Sequence, residues 1–440
     1  MSPRRVAKVN PPFALTLYRL VAWLLGRLLT AKWRRRGRVE PRYLHDIPAR
    51  FGHYQHPSGV GYIWIHAVSL GETRACVPLL DAVRAQWPGQ PLLLTHGTAT
   101  GWEAGTSLLR PGDLQTWLPW DEPAAVKRFL THHQPRLGML METEVWPELT
   151  TQCAALQVPL FLVNARLSDR SLGKALRLSS LAKWVFSRLA GVVPQTAPDA
   201  QRLQRLDAPV LASSGNIKFD VSINNIQLEK GREWRASLNK PVLMLASSRE
   251  GEEAALISAL NDPVHDAYFD VGAYHWLVVP RHPNRVEAVV ALFTAAGFTV
   301  RRRSVWGADV PDAPEVVDSK VIWLGDTLGE MPLYYGLADV ALLGGSFGEW
   351  GGQNIIEAAA CGCPVVFGPH TYNFAQATDS ALAAGAAVRV ADLSEAVSVA
   401  AAIAVDAPLR AQMADAGTQM VRENQGAAQR TIAALKDALG

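Results

Sequence analysis

The sequence predicts an α/β fold with two doubly wound domains and a cleft between them, preceded by an amphipathic membrane helix. Its 440 residues, of which 49% are hydrophobic, suffice for two ordinary cores. From about residue 60, short apolar runs alternate with helix-length segments, a pattern typical of parallel sheets covered by helices. A polar stretch at 224–240 interrupts this alternation, which then resumes, so two successive units are expected.

Charge is concentrated at the N-terminus, although the whole chain carries only +3. Residues 1–42 hold eleven Lys and Arg, among them Arg4, Arg5 and Lys8, against the single acid Glu40, which gives +10 and leaves −7 for the remainder. This asymmetry favours contact between the N-terminal segment and an anionic surface. A nucleic-acid partner is not expected, since it would require a basic face on the body as well.

The first forty residues contain an apolar segment, Phe13 to Ala31, that is just long enough to cross a bilayer. Its polar residues recur at steps of three and four and so share one helical face: Thr16, Arg19, Trp23, Arg27 and Thr30. A helix lying in the membrane interface would direct both guanidiniums to headgroups, and the basic run at 32–36 would bind anionic lipid. A single-pass anchor and an ordinary core helix are the alternatives.

The strands of the body are predicted from its short apolar runs. In the first domain they are Tyr62–His66, Pro91–Thr95, Leu137–Met141, Pro159–Val163, Val192–Pro194 and Val210–Ala212. In the second they are Val242–Ala246, Trp276–Val279, Val321–Leu324, Val340–Leu343 and Val365–Phe367. Helices are expected between them, for example at Glu72–Gln86 and Glu122–His132.

Ligand sites in such sheets lie beyond the carboxyl ends of the strands. After the first strand, Glu72 follows a tight turn and could act as a general base, or could simply be an acid in a first helical turn. Glu142 and Glu144 follow another strand, either as functional acids or as a capping arrangement before Trp-Pro. The loop beginning at Arg166 could bind phosphate or be an ordinary solvated loop.

The second half contains a glycine-rich loop, 344–352, between a strand and a helix expected to begin near Gln353. Glycines let backbone amides approach a phosphate, and a helix N-terminus attracts its charge. Glu357 could then hold ribose hydroxyls. Neither an Asp-x-Asp signature beyond a strand nor a Walker loop occurs, and Cys361 and Cys363 lack a second Cys/His pair at ligand spacing. We therefore expect no metal, no cofactor and reduced, buried thiols, which favours the cytoplasm.

Taken together, the motifs resemble those of the Kdo (3-deoxy-D-manno-octulosonic acid) transferases of lipopolysaccharide assembly, which are GT-B glycosyltransferases. The resemblance runs from Trp64 to Phe374. It is carried by residues 66–72, 142–147, 166–171, 215–220, 280–283, 325–331, 344–357 and 368–374.

The resemblance implies an inverting, metal-independent transfer of Kdo from CMP-Kdo to a lipid A precursor (lipid IVA) at the cytoplasmic face of a Gram-negative inner membrane. Glu72 would be the general base. Residues supporting the acceptor or the transition state would be Ser69, Glu142, Glu144 and Arg166. Residues around CMP would be Lys218, Pro280, Arg281, Met331, Gly345, Ser346, Gly351, Gly352, Asn354 and Glu357. The expected domains are 1–40 for membrane association, 41–213 for the acceptor and 214–440 for the CMP-sugar.

Three positions depart from the family pattern. The family usually has Arg and His where this chain has Trp350 and Gln353, and His where it has Arg249. Donor affinity or geometry is therefore expected to differ. Alternative functions are another membrane-surface GT-B nucleotide-sugar transferase, a UDP-sugar epimerase, and a non-catalytic scaffold that binds nucleotide or lipid.

Overall fold

The computed structural model describes residues 11–262, 271–307 and 320–440. It divides into two compact units, one comprising the chain up to Asp220 together with Gln425–Gly440, the other Val221–Asn424. The predicted membrane contacts of Arg4, Arg5 and Lys8 lie outside the described residues.

The first unit is built on six parallel strands in the order β3-β2-β1-β4-β5-β6. The strands are β1 Ile63–His66, β2 Leu92–His96, β3 Leu114–Trp117, β4 Leu137–Met141, β5 Leu160–Ala165 and β6 Gly191–Pro194. Its helices are α1 Phe13–Arg36, α2 Leu70–Ala75, α3 Val77–Gln86, α4 Ala99–Thr106, α5 Pro123–His133, α6 Pro147–Ala155, α7 Asp169–Arg177, α8 Ser179–Phe186 and α9 Ala197–Gln204. The neighbouring strands β1, β4 and β5 are buried along their whole length, as expected for a sheet covered on both faces.

Several helices of this unit begin with the same type of side-chain N-cap. Ser69, Thr98, Ser168 and Thr196 each accept a hydrogen bond from the amide three residues further on, and they open α2, α4, α7 and α9. Each follows a strand directly, so short capped loops place these helix starts at the carboxyl edge of the sheet.

The second unit has seven parallel strands in the order β13-β12-β11-β7-β8-β10-β9. They are β7 Val242–Ser248, β8 His275–Pro280, β9 Thr299–Arg302, β10 Val321–Leu324, β11 Val340–Leu343, β12 Val365–Phe367 and β13 Ala387–Arg389. The helices are α10 Asn225–Ala236, α11 Glu252–Leu260, α12 Val286–Ala295, α13 Met331–Leu337, α14 Ile355–Ala360, α15 Ala375–Ala384, α16 Leu393–Val405 and α17 Ala407–Asn424. The helix α18, Ala427–Leu439, belongs to the first unit.

Two parallel α/β sheets confirm the predicted fold class, and most predicted strands are present. The three that were missed, β3, β9 and β13, all lie at sheet edges, where partial exposure permits polar residues that mask the strand pattern. The predicted strand Val210–Ala212 was wrong, because Val210 forms only an isolated bridge with Val192. The predicted helix Glu72–Gln86 is split into α2 and α3, the second of which begins with Val77 and Pro78.

The boundary between the units differs from the predicted 213/214. Residues 214–220 and 425–440 belong to the first unit, because α18 places Ala428, Ile432 and Leu435 in the core of the first sheet. Asp220 caps this helix: its carboxylate accepts from the amides of Gly426 and Ala428 at 2.6 Å each. The 214–440 segment is therefore not one structural unit.

The N-terminal helix α1 buries Leu15 and Ala22 against the first unit and forms polar contacts on the same side. Arg19 Nε lies 2.8 Å from Glu148 Oε2, whose side chain is fully buried, and Tyr18 Oη donates to Asp121 at 2.7 Å. The prediction that both arginines face headgroups is thus wrong for Arg19. The outward side exposes large apolar residues, including Phe13, Leu17, Leu20, Leu24 and Leu28. Arg19 reaches inward because the buried carboxylate of Glu148 requires a cation, whereas Thr16 and Trp23 of the predicted polar face are exposed.

No single described helix is long and apolar enough to cross a membrane. The two parts of α1, Phe13–Gly26 and Leu28–Arg36, meet at a bend of 46° and satisfy the length and composition requirements only as a pair.

Candidate active site

Glu72 lies at the carboxyl end of β1, in the first turn of α2. Its carboxylate accepts from the Val68 amide at 2.9 Å and from the Ser69 hydroxyl at 3.2 Å, and Ser69 in turn caps the Glu72 amide. This reciprocal arrangement is a capping box, so the structure fixes the carboxylate while also using it to start the helix.

Burial raises the pKa of Glu72 to about 7, and the neighbouring charges of Glu142 and Glu144 add to the shift, whereas its hydrogen bonds to Val68 and Ser69 oppose it. A carboxyl with a pKa near neutrality exchanges a proton at physiological pH, which is the property required of a general base. The capping box accounts for its position but not for a pKa displaced this far upward.

Glu142 follows β4 in a left-handed conformation, with φ of 57°. It is 5% exposed, and two cations surround it: Arg166 Nε at 2.9 Å and Lys218 Nζ at 3.0 Å. The sequence assigned Lys218 to the CMP-binding domain, but the structure places it in the first unit with the predicted acceptor residues. This correction follows from the boundary at Asp220.

Glu144 completes a group of three carboxylates at the same sheet edge. Its side chain accepts from Trp146 Nε1 at 3.1 Å. Burial raises the pKa of Glu144, and the charge of Glu142 contributes to the same effect. Because β1 and β4 are neighbouring parallel strands, the structure brings together all the residues that the sequence predicted around the acceptor.

The glycine-rich loop of the second unit follows β11 and is held by a residue that the sequence analysis missed. The Glu252 carboxylate accepts from the Gly345 amide at 2.8 Å and from the Phe347 amide at 3.2 Å. Glu252 is buried at the start of α11, after β7, which is paired with β11. The available signal was an acidic pair, Glu252-Glu253, six and seven residues after the end of a predicted strand at Ala246.

Several loop groups predicted to bind phosphate are therefore engaged within the unit. The Gly352 amide donates to the Gly345 carbonyl at 2.7 Å, and the buried Ser346 hydroxyl donates to Leu343 and accepts from Gly368. The amides of Gly345 and Gly352 and the hydroxyl of Ser346 thus already have partners in this structure. Phosphate binding by Gly345, Ser346, Gly351 and Gly352 stays a prediction.

The other predicted donor residues lie at the same edge of the second sheet. Pro280 ends β8, Arg281 follows it, and Met331 begins α13 after β10. Asn354 caps α14, which begins at Ile355, close to the predicted start near Gln353, and Glu357 lies half-buried in its first turn. Since β11, β7, β8 and β10 are consecutive in the sheet, these residues share one edge.

Two of the departures from the family pattern contact each other. The Arg249 guanidinium lies 4.1 Å from the centre of the Trp350 ring, and its Nη1 is 3.2 Å from His282 Nε2. Nε of the same guanidinium lies 3.2 Å from Glu250 Oε2. The contact with Trp350 is a cation–π interaction that places the Arg249 side chain beside the glycine-rich loop.

Known proteins are similar to this chain both over most of its first unit and over almost its whole length. Residues 45–221 match a family described as 3-deoxy-D-manno-octulosonic-acid transferase (kdotransferase). Over 417 residues the chain is 42% identical to the 3-deoxy-D-manno-octulosonic acid transferase of Bordetella pertussis, covering 93% of this chain and 95% of that protein. The chain belongs to the Kdo transferase family. The Haemophilus influenzae transferase is 31% identical, with 90% of this chain and 92% of that protein covered.

Solved structures resemble the Kdo transferase chain in fold. A UDP-GlcNAc 2-epimerase from Neisseria meningitidis has a TM-score of 0.55 at 13% identity, covering 86% of this chain and 100% of that one. A glycosyltransferase from Rickettsia africae has a TM-score of 0.52 at 12% identity, covering 86% and 99%. These likenesses confirm the GT-B type of fold, and at such identities they show the fold alone.

Proposed function

We propose that this chain transfers Kdo from CMP-Kdo to a lipid A precursor, with Glu72 as the general base. The observation that carries the proposal is a half-buried carboxylate whose pKa is raised to about 7, held by two hydrogen bonds at the carboxyl end of β1. Membership of the Kdo transferase family supports the donor and the lipid acceptor. It does not favour the epimerase or scaffold alternatives.

In the reaction, Glu72 removes the proton from a glucosamine hydroxyl of the acceptor. The hydroxyl oxygen forms a bond to the anomeric carbon of Kdo, and the bond from that carbon to the CMP phosphate breaks, its electron pair leaving with CMP. Attack opposite to the leaving group inverts the configuration, and the transition state resembles an oxocarbenium ion. The proton stays on Glu72 until solvent removes it.

Arg166 and Lys218 support this chemistry by neutralising Glu142, from which they lie 2.9 and 3.0 Å away. Without them, a second full negative charge near Glu72 would further favour its protonated form. Their role is to limit the negative charge around Glu72.

The donor is proposed to bind at the carboxyl edge of the second sheet. Pro280, Arg281, Met331, Asn354 and Glu357 lie at that edge and correspond to the family's CMP-binding positions. Arg249, held against Trp350, contributes the cation that stabilises the departing phosphate. The glycine-rich loop at 344–352 contains no Lys or Arg that could supply this positive charge.

Association with the anionic cytoplasmic face of the inner membrane is proposed to occur through α1. Its outward side exposes apolar residues, of which Phe13 is 82% exposed, and its last turn carries Arg34, Arg35 and Arg36. An apolar face beside a basic turn suits an interfacial helix on anionic lipid. This location would bring the protein to an acceptor that is itself a membrane lipid.

The proposal is tested by incubating the purified chain with CMP-Kdo and a tetraacylated lipid A precursor, and following the product by mass spectrometry. Addition of Kdo with release of CMP supports it. Conversion of UDP-GlcNAc without any use of CMP-Kdo would instead indicate an epimerase, and binding of CMP without turnover would indicate a scaffold.

A further inference from the structure

We propose that His56, His132 and His133 form a binding site for a divalent transition metal of the zinc type. One nitrogen from each ring belongs to a group of three that all lie within 4.8 Å of one another. His56 Nδ1 lies 3.4 Å from His132 Nε2 and 3.0 Å from the Pro57 carbonyl. Donation of its hydrogen to that carbonyl leaves Nε2 as the nitrogen through which His56 would bind the ion.

His133 gives the site its strongest indication. Its side chain is fully buried, and neither ring nitrogen has a hydrogen-bond partner among the described residues. Nε2 of His56 is likewise buried and unpartnered among them. A buried polar nitrogen without a partner costs roughly 1–3 kcal/mol, so a ligand that satisfies it is favoured.

All three candidate ligands are imidazoles, and this restricts the metals that the cluster would bind. Neutral imidazole is a ligand for zinc, copper, nickel and iron, whereas magnesium and calcium prefer oxygen.

An ion can reach the cluster from solvent. An open cavity of about 460 Å³ is lined by His53, Tyr54 and His132, among others. Arg128 also lines it, and its Nε and Nη2 donate to the Phe51 carbonyl at 3.0 and 2.6 Å. Three protein ligands leave a further position for water, as in zinc sites with three histidines.

The location indicates a structural rather than a catalytic ion. His133 ends α5 just before β4, and His56 lies in the loop before β1. Backbone bonds from Gly61 to Gln134 and from Arg136 to Tyr62 join these segments at the amino ends of the two strands. Glu72 and Glu142 follow the carboxyl ends of the same strands. The ion would therefore tie the loop at 52–58 to the end of α5, at the sheet edge opposite the proposed site of transfer.

The test titrates the metal-free full chain with Zn²⁺ and measures its melting temperature and the binding stoichiometry by calorimetry. We expect one ion per chain, and a rise of roughly 5–10 °C when zinc is at about 100 times Kd. His56→Ala and His132→Gln should each weaken zinc binding at least tenfold, because each removes one ligand from a half-buried position that tolerates substitution better than His133. His53→Ala, beside the cavity but outside the three-histidine cluster, is the matched control and should bind zinc as the wild type does.

The proposal is overturned if Zn²⁺ binds no more tightly than Mg²⁺, or if His56→Ala and His132→Gln bind zinc as tightly as His53→Ala does. Kdo transfer by the metal-free protein at low temperature separates this inference from the proposed function. Transfer should be retained without zinc, and loss of transfer that zinc restores would overturn the structural role.

Discussion

At the scale of single residues, the account depends on Glu72 and the charges around it. The sequence located Glu72, Glu142 and Glu144 because acids directly after predicted strands are conspicuous. It could not show that Arg166 and Lys218 both reach Glu142, since that contact depends on the left-handed backbone at Glu142 and on where residues 214–220 pack. The same limitation hid Glu252, whose partners lie more than ninety residues away.

The raised pKa predicts the pH dependence of transfer. Because a general base must be deprotonated, kcat/KM should increase with pH and level off above about 7, the value to which burial raises the pKa of Glu72. Glu144→Gln removes one of the charges that raise this pKa and should move the midpoint to lower pH. Glu103→Gln, on an exposed face of α4, should leave it unchanged. A flat profile from pH 5 to 9 is incompatible with Glu72 as the base.

The contact between Arg249 and Trp350 predicts a coupled effect on donor affinity. Arg249→Gln should weaken CMP binding roughly tenfold, the value of one charged hydrogen bond. Trp350→Arg alone should not tighten it, because the new guanidinium would lie beside that of Arg249. The double variant Arg249→Gln/Trp350→Arg should recover affinity, which calorimetry with CMP measures across the cycle. Arg422→Gln, on α17, is the control. Purely additive effects would show that the two positions do not share one role.

At the scale of elements, central strands were predictable and edge strands were not. Continuous apolar runs identify β1, β4, β7 and β11, which are buried on both faces, whereas β3 and β9 carry polar residues at exposed sheet edges. For α1 the sequence predicted the apolar face that the structure exposes, but not the inward contacts of Tyr18 and Arg19. Those contacts depend on Asp121 and Glu148, two buried acids far along the chain.

Substitutions on the two sides of α1 should distinguish its contribution to membrane binding from its contribution to stability. Replacing the exposed Leu17, Leu24 and Leu28 with Ser should weaken sedimentation with anionic vesicles by more than roughly tenfold, since each exposed leucine contributes apolar area to the interface. The melting temperature should change little. Arg19→Ala should do the opposite: membrane binding persists, while the unfolding free energy falls by about 1–3 kcal/mol because Glu148 is left buried without its cation.

The experiment compares the wild type and both variants by vesicle sedimentation and thermal unfolding. Vesicle binding by the triple variant equal to that of the wild type would contradict the interfacial role of this face. Resistance of the full-length chain to extraction by alkaline carbonate would indicate the single-pass alternative instead.

At the scale of the whole molecule, the alternation of strands and helices predicted two α/β units but misplaced their boundary. The C-terminal helix α18 looks like any other amphipathic helix, and only the structure shows that it joins the first core. The spacing of motifs along the chain cannot predict that a C-terminal helix packs on the N-terminal unit. The family resemblance predicted catalytic and donor positions in order along the chain, yet it could not assign Lys218 to its unit.

Because α18 packs in the core of the first unit, loss of the cap at its N-terminus should destabilise the protein. Asp220→Ala removes a carboxylate that accepts from three amides at the start of α18 and should lower the unfolding free energy by about 1–2 kcal/mol. Asp437→Asn, on the exposed side of the same helix, should have no measurable effect. Chemical unfolding followed by circular dichroism measures both. An Asp220→Ala protein as stable as Asp437→Asn would show that the cap contributes nothing.

The central claim is that this chain transfers Kdo with Glu72 as its base, and one comparison tests it most directly. Initial rates of Kdo transfer from CMP-Kdo to a tetraacylated lipid A precursor are measured for the wild type, Glu72→Gln and the control Glu103→Gln, alongside their affinity for CMP. The account predicts that Glu72→Gln lowers the rate by about 10²–10⁴-fold, the usual effect of losing a general base, while CMP affinity and folding are retained. A Glu72→Gln rate within a few-fold of that of Glu103→Gln would contradict it.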